Sequence, residues 1–207
     1  VQVFSCDDGS FVSKFGERGN HPSKFKPHGL AIDHDHDRIL VTDTANGRVQ
    51  SWSLSEQSFL SCISEFGSRD LEFYNPHAVA IDKHHHRIVI ADTHNSRLVF
   101  LSSIDLSFLF SVGSKRGSQP GELNSPMGVA IDDDRHRIII TDTNNHRVQV
   151  LSSIDGSFLF EFGSKGNQPG QLNNPHGVCI ASQGRIIVAD LNNHRLQSFT
   201  HEGHHIS

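Results

Sequence analysis

The chain holds very little cysteine, methionine, tryptophan or tyrosine: three, one, one and one among 207 residues. Cys6, Cys62 and Cys179 are odd in number and none stands in C-x-x-C spacing, which excludes a disulfide framework and a thiolate zinc site of the usual spacing. There is no N-x-[ST] sequon either, so the chemistry leans to a reducing compartment and a cytoplasmic location is expected. No apolar run approaches the ~20 residues that cross a bilayer, and no charged-then-apolar leader opens the sequence; no membrane association is expected. Val1 already stands in a strand-like segment, so the chain is expected to be part of a longer product. An i, i+3, i+4, i+7 apolar pattern persists nowhere, which excludes long amphipathic helices. A net charge of -5 argues against a wholly basic nucleic-acid binder. With no G-x-S-x-G elbow, P-loop or H-E-x-x-H string, no catalytic residue and no cofactor are expected, and the reading leans away from an enzyme.

What the chain does have is a period. Pro27-His28-Gly29-Leu30-Ala31-Ile32-Asp33 returns from Pro76, from Pro126 and, altered, from Pro175, at intervals of 49, 50 and 49 positions. A second phrase keeps the same beat: Asp43 to Arg48, Asp92 to Arg97, Asp142 to Arg147 and Asp190 to Arg195. Such a period marks units that cannot bury an apolar face alone. Each unit reads as four short strands. The first alternates bulky and small residues, with Ala31, Ala80, Ala130 and Cys179 in the small position, and Cys179 is read as a buried filler. The second is apolar throughout, as in Ile138-Ile139-Ile140, the mark of a strand covered on both faces. The third alternates, and the fourth carries phenylalanine (Phe11 to Phe15, Phe59 to Phe66, Phe108 to Val112, Phe158 to Phe162) before a closing glycine. Four antiparallel strands per unit make a propeller blade. The fold class is therefore all-β: a β-propeller with about four blades, open or incomplete. The expected limits are a blade remnant at 1–16 and blades at about 27–67, 76–113, 126–163 and 175–200, all in one domain over 1–207.

Thr143-Asn144-Asn145-His146-Arg147 and Leu191-Asn192-Asn193-His194-Arg195 follow strands that end in Asp, and together with Gln168-Pro169-Gly170-Gln171-Leu172-Asn173-Asn174-Pro175-His176-Gly177-Val178 they resemble the NHL repeat. The likeness weakens in the first two units, where Gly47 and Ser96 stand in place of His146. The resemblance implies a ring that usually closes with six blades, so this chain is expected to be an open arc of a larger ring. It implies a non-catalytic scaffold for a protein or peptide, in many relatives the substrate-selecting part of a ubiquitin ligase whose RING and B-box modules lie elsewhere. An RNA-binding NHL domain is the alternative, and a metal-dependent propeller lyase or hydrolase the second.

Antiparallel order places the linkers between blades and the turns between strands two and three on one rim. That rim carries Lys24, Lys26, Lys115, Arg116 and Lys165, which with Asn145, His146, Asn193 and His194 form the candidate binding surface, suited to an acidic peptide or a polyanion. Apolar linker residues Phe73, Leu123 and Leu172 are expected to add protein contacts. Asp43/Arg48, Asp92/Arg97, Asp142/Arg147 and Asp190/Arg195 read as structural pins across tight turns. The opposite rim is acidic and rich in histidine, with Asp33 to Asp37, Asp82 to His86 and Asp132 to His136. His34, His36 and His84 to His86 sit in turns of separate blades, so no metal site is expected from them, and His28, His77 and His176 at the inner-strand entrances are the ring to inspect instead. Apolar faces left open at the two ends of the arc predict self-association.

Overall fold

The computed structural model describes residues 1–207 apart from Ser64 and Ser114, and describes Glu65 and Phe66 by their backbone alone. Ser64 to Phe66 of the phenylalanine-bearing segment therefore lie outside the described side chains. Three four-stranded antiparallel sheets follow one another along the chain. Blade one comprises Leu30–Asp33, Arg38–Asp43, Arg48–Ser53 and Phe59–Ile63. Blade two comprises Pro76–Asp82, Arg87–Asp92, Arg97–Ser102 and Phe108–Gly113, and blade three Pro126–Asp132, Arg137–Asp142, Arg147–Ser152 and Phe158–Phe162. Blade four has three strands, Pro175–Ile180, Ile186–Asp190 and Arg195–Phe199. Ahead of blade one, Gln2–Phe4 pairs with Phe11–Lys14 as a two-stranded remnant.

The uninterrupted apolar second strand has a direct physical cause. In blade two, Ile88 and Ile90 point into the core shared with blade one, while Val89 and Ala91 point into the core shared with blade three, and all four are fully buried. Ile88, Val89 and Ile90 each contribute about 1.5–3 kcal/mol by leaving water, so both faces are selected to be apolar. Small residues on the first strand keep blades close. A Cβ on Gly128 would sit 2.2 Å from the His176 carbonyl oxygen, and one on Gly29 2.4 Å from that of His77, so the next blade's backbone passes where a methyl group would be.

Linkers follow one design. Lys24–Phe25 runs parallel to Glu17–Arg18 and Glu72–Phe73 parallel to Glu65–Phe66, with single bridges from Arg116 to Leu123 and from Lys165 to Leu172 repeating the contact. The residue after each return is driven into the inter-blade core: Phe25, Phe73, Leu123 and Leu172 are buried. The expectation of Phe73, Leu123 and Leu172 as protein-contacting loop residues is thus corrected; they are plugs that seal the gap between sheets.

The two ends differ from the middle. On blade four, Cys179, Ile187, Ala189 and Leu196 occupy the face that Ala80, Val89, Ala91 and Leu98 occupy on blade two. There Leu98 is fully buried, whereas Leu196 is 70% exposed. Cys179 is exposed for the same reason, against the expectation of a buried filler: its position is small because a following sheet normally covers it, and here none does. At the other end the remnant covers Ile39, Val41 and Trp52 through Val1, Val3 and Phe15 but leaves Leu30 and Ile32 exposed. The arc is open.

Candidate functional site

On the linker rim, the aspartate ending each second strand organises its surroundings. Asp142 is fully buried. Its Oδ1 accepts from the Asn124 amide at 2.7 Å, and its Oδ2 accepts from Asn145 Nδ2, Arg147 Nε and Gln149 Nε2 at 2.8, 2.8 and 3.0 Å. The Arg147 guanidinium then donates onward to the linker carbonyls of Ser118, Gln119 and Glu122. Asp43/Arg48, Asp92/Arg97 and Asp190/Arg195 repeat the ion pair at 2.7–2.8 Å. Solvent access grades their chemistry. Burial pushes the Asp92 carboxyl up despite Asn95, Tyr74 and Arg97. At the open end, burial also acts on Asp190, but donation from the Asn173 amide, Asn193 and Arg195 outweighs it and the carboxyl is held below its ordinary value.

Two asparagines of the expected binding surface belong to this network: Asn145 Nδ2 also donates to the Gly117 carbonyl and Asn193 Nδ2 to that of Gly166. His146 adopts a left-handed backbone and its Nδ1 accepts from the Asn174 amide at 3.1 Å; His194 shares the backbone conformation and is exposed. Of the cations, Lys24 approaches Glu17 at 3.1 Å and Lys115 approaches Glu122 at 3.8 Å. Lys26, Arg116 and Lys165 are exposed and pair with no carboxylate among the described residues. Tyr74, with its ring against His94, and Leu71 are exposed on the linker between blades one and two.

A second set of pins on the opposite rim escaped the sequence reading. Asp33 pairs with Arg38, Asp82 with Arg87 and Asp132 with Arg137 at 2.6–3.0 Å, all buried. Each arginine reaches across to the following blade: Arg38 donates to the Ser103 carbonyl, Arg87 to those of Ser153 and Ile154, and Arg137 to that of His201. The signal was available, since the Asp-x4-Arg spacing recurs in register with the proline and lapses in blade four, where Ala181 replaces the aspartate and Arg185 is exposed. Three of the acids assigned to a free acidic surface are therefore neutralised inside the fold. On that same rim the turns of adjacent blades bring His84 and His85 against His136. At the hub, the first strands bulge out of register just after their prolines and a cleft of about 240 Å³ opens between His28, His77, Met127 and His176. The His28 and His77 ring centroids are 3.9 Å apart. Burial, then the neighbouring rings of His28, His176 and His94, push His77 down to about 4, and burial with His28 lowers His176.

The family model of the NHL repeat matches three segments, residues 26–51, 123–151 and 172–199. The chain carries NHL repeats. No curated protein matches the sequence. Among solved structures, the arc is similar to hydrazine synthase of Kuenenia stuttgartiensis (TM-score 0.67, 9% identity, 87% of this chain and 48% of that one). It is similar to an auxiliary nutrient binding protein of Bacteroides thetaiotaomicron (0.64, 12%, 82% and 46%) and to streptogramin B lyase (0.63, 15%, 87% and 53%). The chain spans about half the length of these structures. At such identities the likeness shows the propeller fold alone. Within the NHL frame the matched segments run from the linker plug, or in blade one from the residue after it, through the second strand to the Arg-bearing third strand, so the motif and the pin network coincide. Blade two, which falls outside the matches, keeps the linker-amide, asparagine and arginine contacts of the network at Asp92, Asn95 and Arg97, but has Val99 where the other blades place a donating glutamine.

Proposed function

We propose that the NHL arc is a non-catalytic scaffold whose linker rim binds an acidic segment of a protein or peptide. The observation that supports this is a division of labour among polar groups. Asp, Asn, Arg and Gln of the repeat motif hydrogen-bond one another and the linker backbone, while Lys26, Arg116 and Lys165 stand exposed without carboxylate partners among the described residues. Because the linker backbone is already held by the motif side chains, binding has to order only the long cationic side chains and not the loops that carry them, which limits the entropic cost. Such a module fits the substrate-selecting part of a ubiquitin ligase, with the transfer chemistry in other domains. RNA is disfavoured by the scarcity of stacking surfaces, since the exposed Tyr74 ring is engaged with His94.

Fluorescence anisotropy with a library of acidic peptides and a mixed-sequence single-stranded RNA tests the reading. Peptide affinity is expected to fall about tenfold or more in the variant Lys26→Glu/Arg116→Glu/Lys165→Glu, with thermal unfolding unchanged. Unchanged peptide affinity rejects this rim. RNA bound more tightly than any peptide, with affinity falling steeply in salt, transfers the site to nucleic acid.

A further inference from the structure

Away from the linker rim, side chains of blades two and three converge at one point. His84 and His85 lie in the turn between the first two strands of blade two, and His136 closes the corresponding turn of blade three. Ring centroids are 4.5 Å apart for His84 and His136, 4.9 Å for His84 and His85, and 5.9 Å for His85 and His136. One nitrogen from each ring lies within 4.8 Å of the other two, a spacing met by no other group of three His, Cys, Asp or Glu residues among those described.

Two further observations point to a ligand. The His85 Nδ1 faces both oxygens of Asp82 at 3.0 Å, and Asp82 is itself buried against Arg87. A carboxylate on one ring nitrogen fixes the imidazole and leaves Nε2 as an outward donor, the arrangement that stands behind metal-ligating histidines. His136 Nδ1 is buried with no hydrogen-bond partner among the described residues, although such atoms are as a rule satisfied.

We propose that His84, His85 and His136 form a three-imidazole site for a divalent transition metal such as Zn²⁺, clipping the rims of blades two and three together. Three nitrogen donors with no thiolate favour Zn²⁺, Ni²⁺ or Cu²⁺ over Mg²⁺ and Ca²⁺. Zinc–nitrogen bonds of about 2.0–2.1 Å set tetrahedral nitrogens about 3.3 Å apart. The rings close by that difference through side-chain rotation, for which the exposed His84 is free. The fourth position is left to water or to a donor from a partner. Nearby charge is mixed. Asp82, Asp133 and Asp134 favour a cation, while Lys83, Arg87 and Arg135 oppose it. Asp133 faces the site across the gap: burial and then Asp82 raise its carboxyl, against Lys83 and His84. The repeat argues for specificity. The turn of blade one has Asp35 and His36 where blade two has His84 and His85, and blade three has Asp134 and Arg135, so three imidazoles meet at this junction alone.

The test must separate this site from the other histidines of a chain that has 16. Equilibrium dialysis against Zn²⁺ and thermal unfolding with and without Zn²⁺ are measured for the wild type, His84→Ala, His136→Asn and His36→Ala. Asparagine suits the left-handed backbone of residue 136. His36 is the matched control, since it contacts Asp33 as His85 contacts Asp82 but lies outside the trio. One tight Zn²⁺ per chain is expected, with affinity reduced more than about tenfold in His84→Ala and His136→Asn and unchanged in His36→Ala. The wild type and His36→Ala should gain thermal stability with Zn²⁺ while the other two do not. Absence of tight binding in the wild type, retention in His136→Asn, or an equal loss in His36→Ala overturns the proposal. With Co²⁺ substituted, a thiolate charge-transfer band would place the ion on a cysteine and overturn it as well.

Discussion

Replacing Asp142 with alanine should be among the most damaging single changes the chain can suffer. Four donors converge on its carboxylate: the Asn124 amide, Asn145, Arg147 and Gln149. Truncation leaves a guanidinium whose side chain is 8% exposed without the oxygen its Nε donates to, although Glu161 at 2.6 Å retains part of its charge compensation. Breaking a buried pair from one side costs about 3–5 kcal/mol, a large share of a total stability of about 5–15 kcal/mol. At a urea slope of about 2–3 kcal/mol per molar, the unfolding midpoint should fall by about 1–2.5 M. The same substitution at Asp190 should cost distinctly less, because the Arg195 side chain is 29% exposed and water replaces part of what is lost. Urea denaturation followed by far-ultraviolet circular dichroism gives both numbers. If Asp142→Ala shifts the midpoint by less than about 0.5 M, or if the two variants shift it equally, the claim that buried pins hold linker to blade is wrong.

Two further perturbations probe the hub and the open end. His77 is depressed to about 4 from an ordinary 6.5, so the folded state resists a proton that the unfolded chain accepts; stability should be full above pH 6.5 and decline as pH falls from there towards 4. In His77→Gln that decline should be shallower in thermal melts at stepped pH, and an identical decline would remove His77 as its source. The exposed Leu196 face, which resembles a buried inter-blade surface, supports self-association of this chain. Sedimentation velocity should show concentration-dependent assembly for the wild type that Leu196→Glu reduces, and a strictly monomeric wild type at high concentration would dismiss it.

How far the sequence could be read depended on whether a residue acts within its own repeat or across a boundary. Ile88 to Ala91 announced a doubly covered strand because both of their faces follow from the strand's own period of two. Asp142 and Arg147 announced a pin because the two lie on either side of one tight turn. Phe73 and Leu123 were misread, since nothing in a linker's composition says that its last apolar residue turns back into the gap between sheets. Cys179 was misread for the opposite reason: its smallness is inherited from positions that a following blade covers, and on blade four that blade is not there. Arg38, Arg87 and Arg137 were overlooked although their spacing from the preceding aspartate is regular, because their carbonyl partners lie more than 60 residues ahead in the chain.

The same distinction locates what is individual about this NHL arc. A repeated side chain is constrained by the contact it makes in each copy, so the pins of both rims serve the scaffold. Specific chemistry must come from positions where the copies differ while the scaffold holds them still. The clearest of these are Met127 where the other blades place histidine at the hub, Tyr74 at a linker position held elsewhere by Lys26, Asn124 and Asn173, and the His84, His85 and His136 convergence, which no other blade junction can form. At that convergence the buried Asp82 serves both systems: one oxygen pairs with Arg87, which reaches the next blade, while both face the His85 ring. A charge fixed for architecture thereby orients an imidazole, and a metal ion on that imidazole would tie the same two blades that Arg87 already joins.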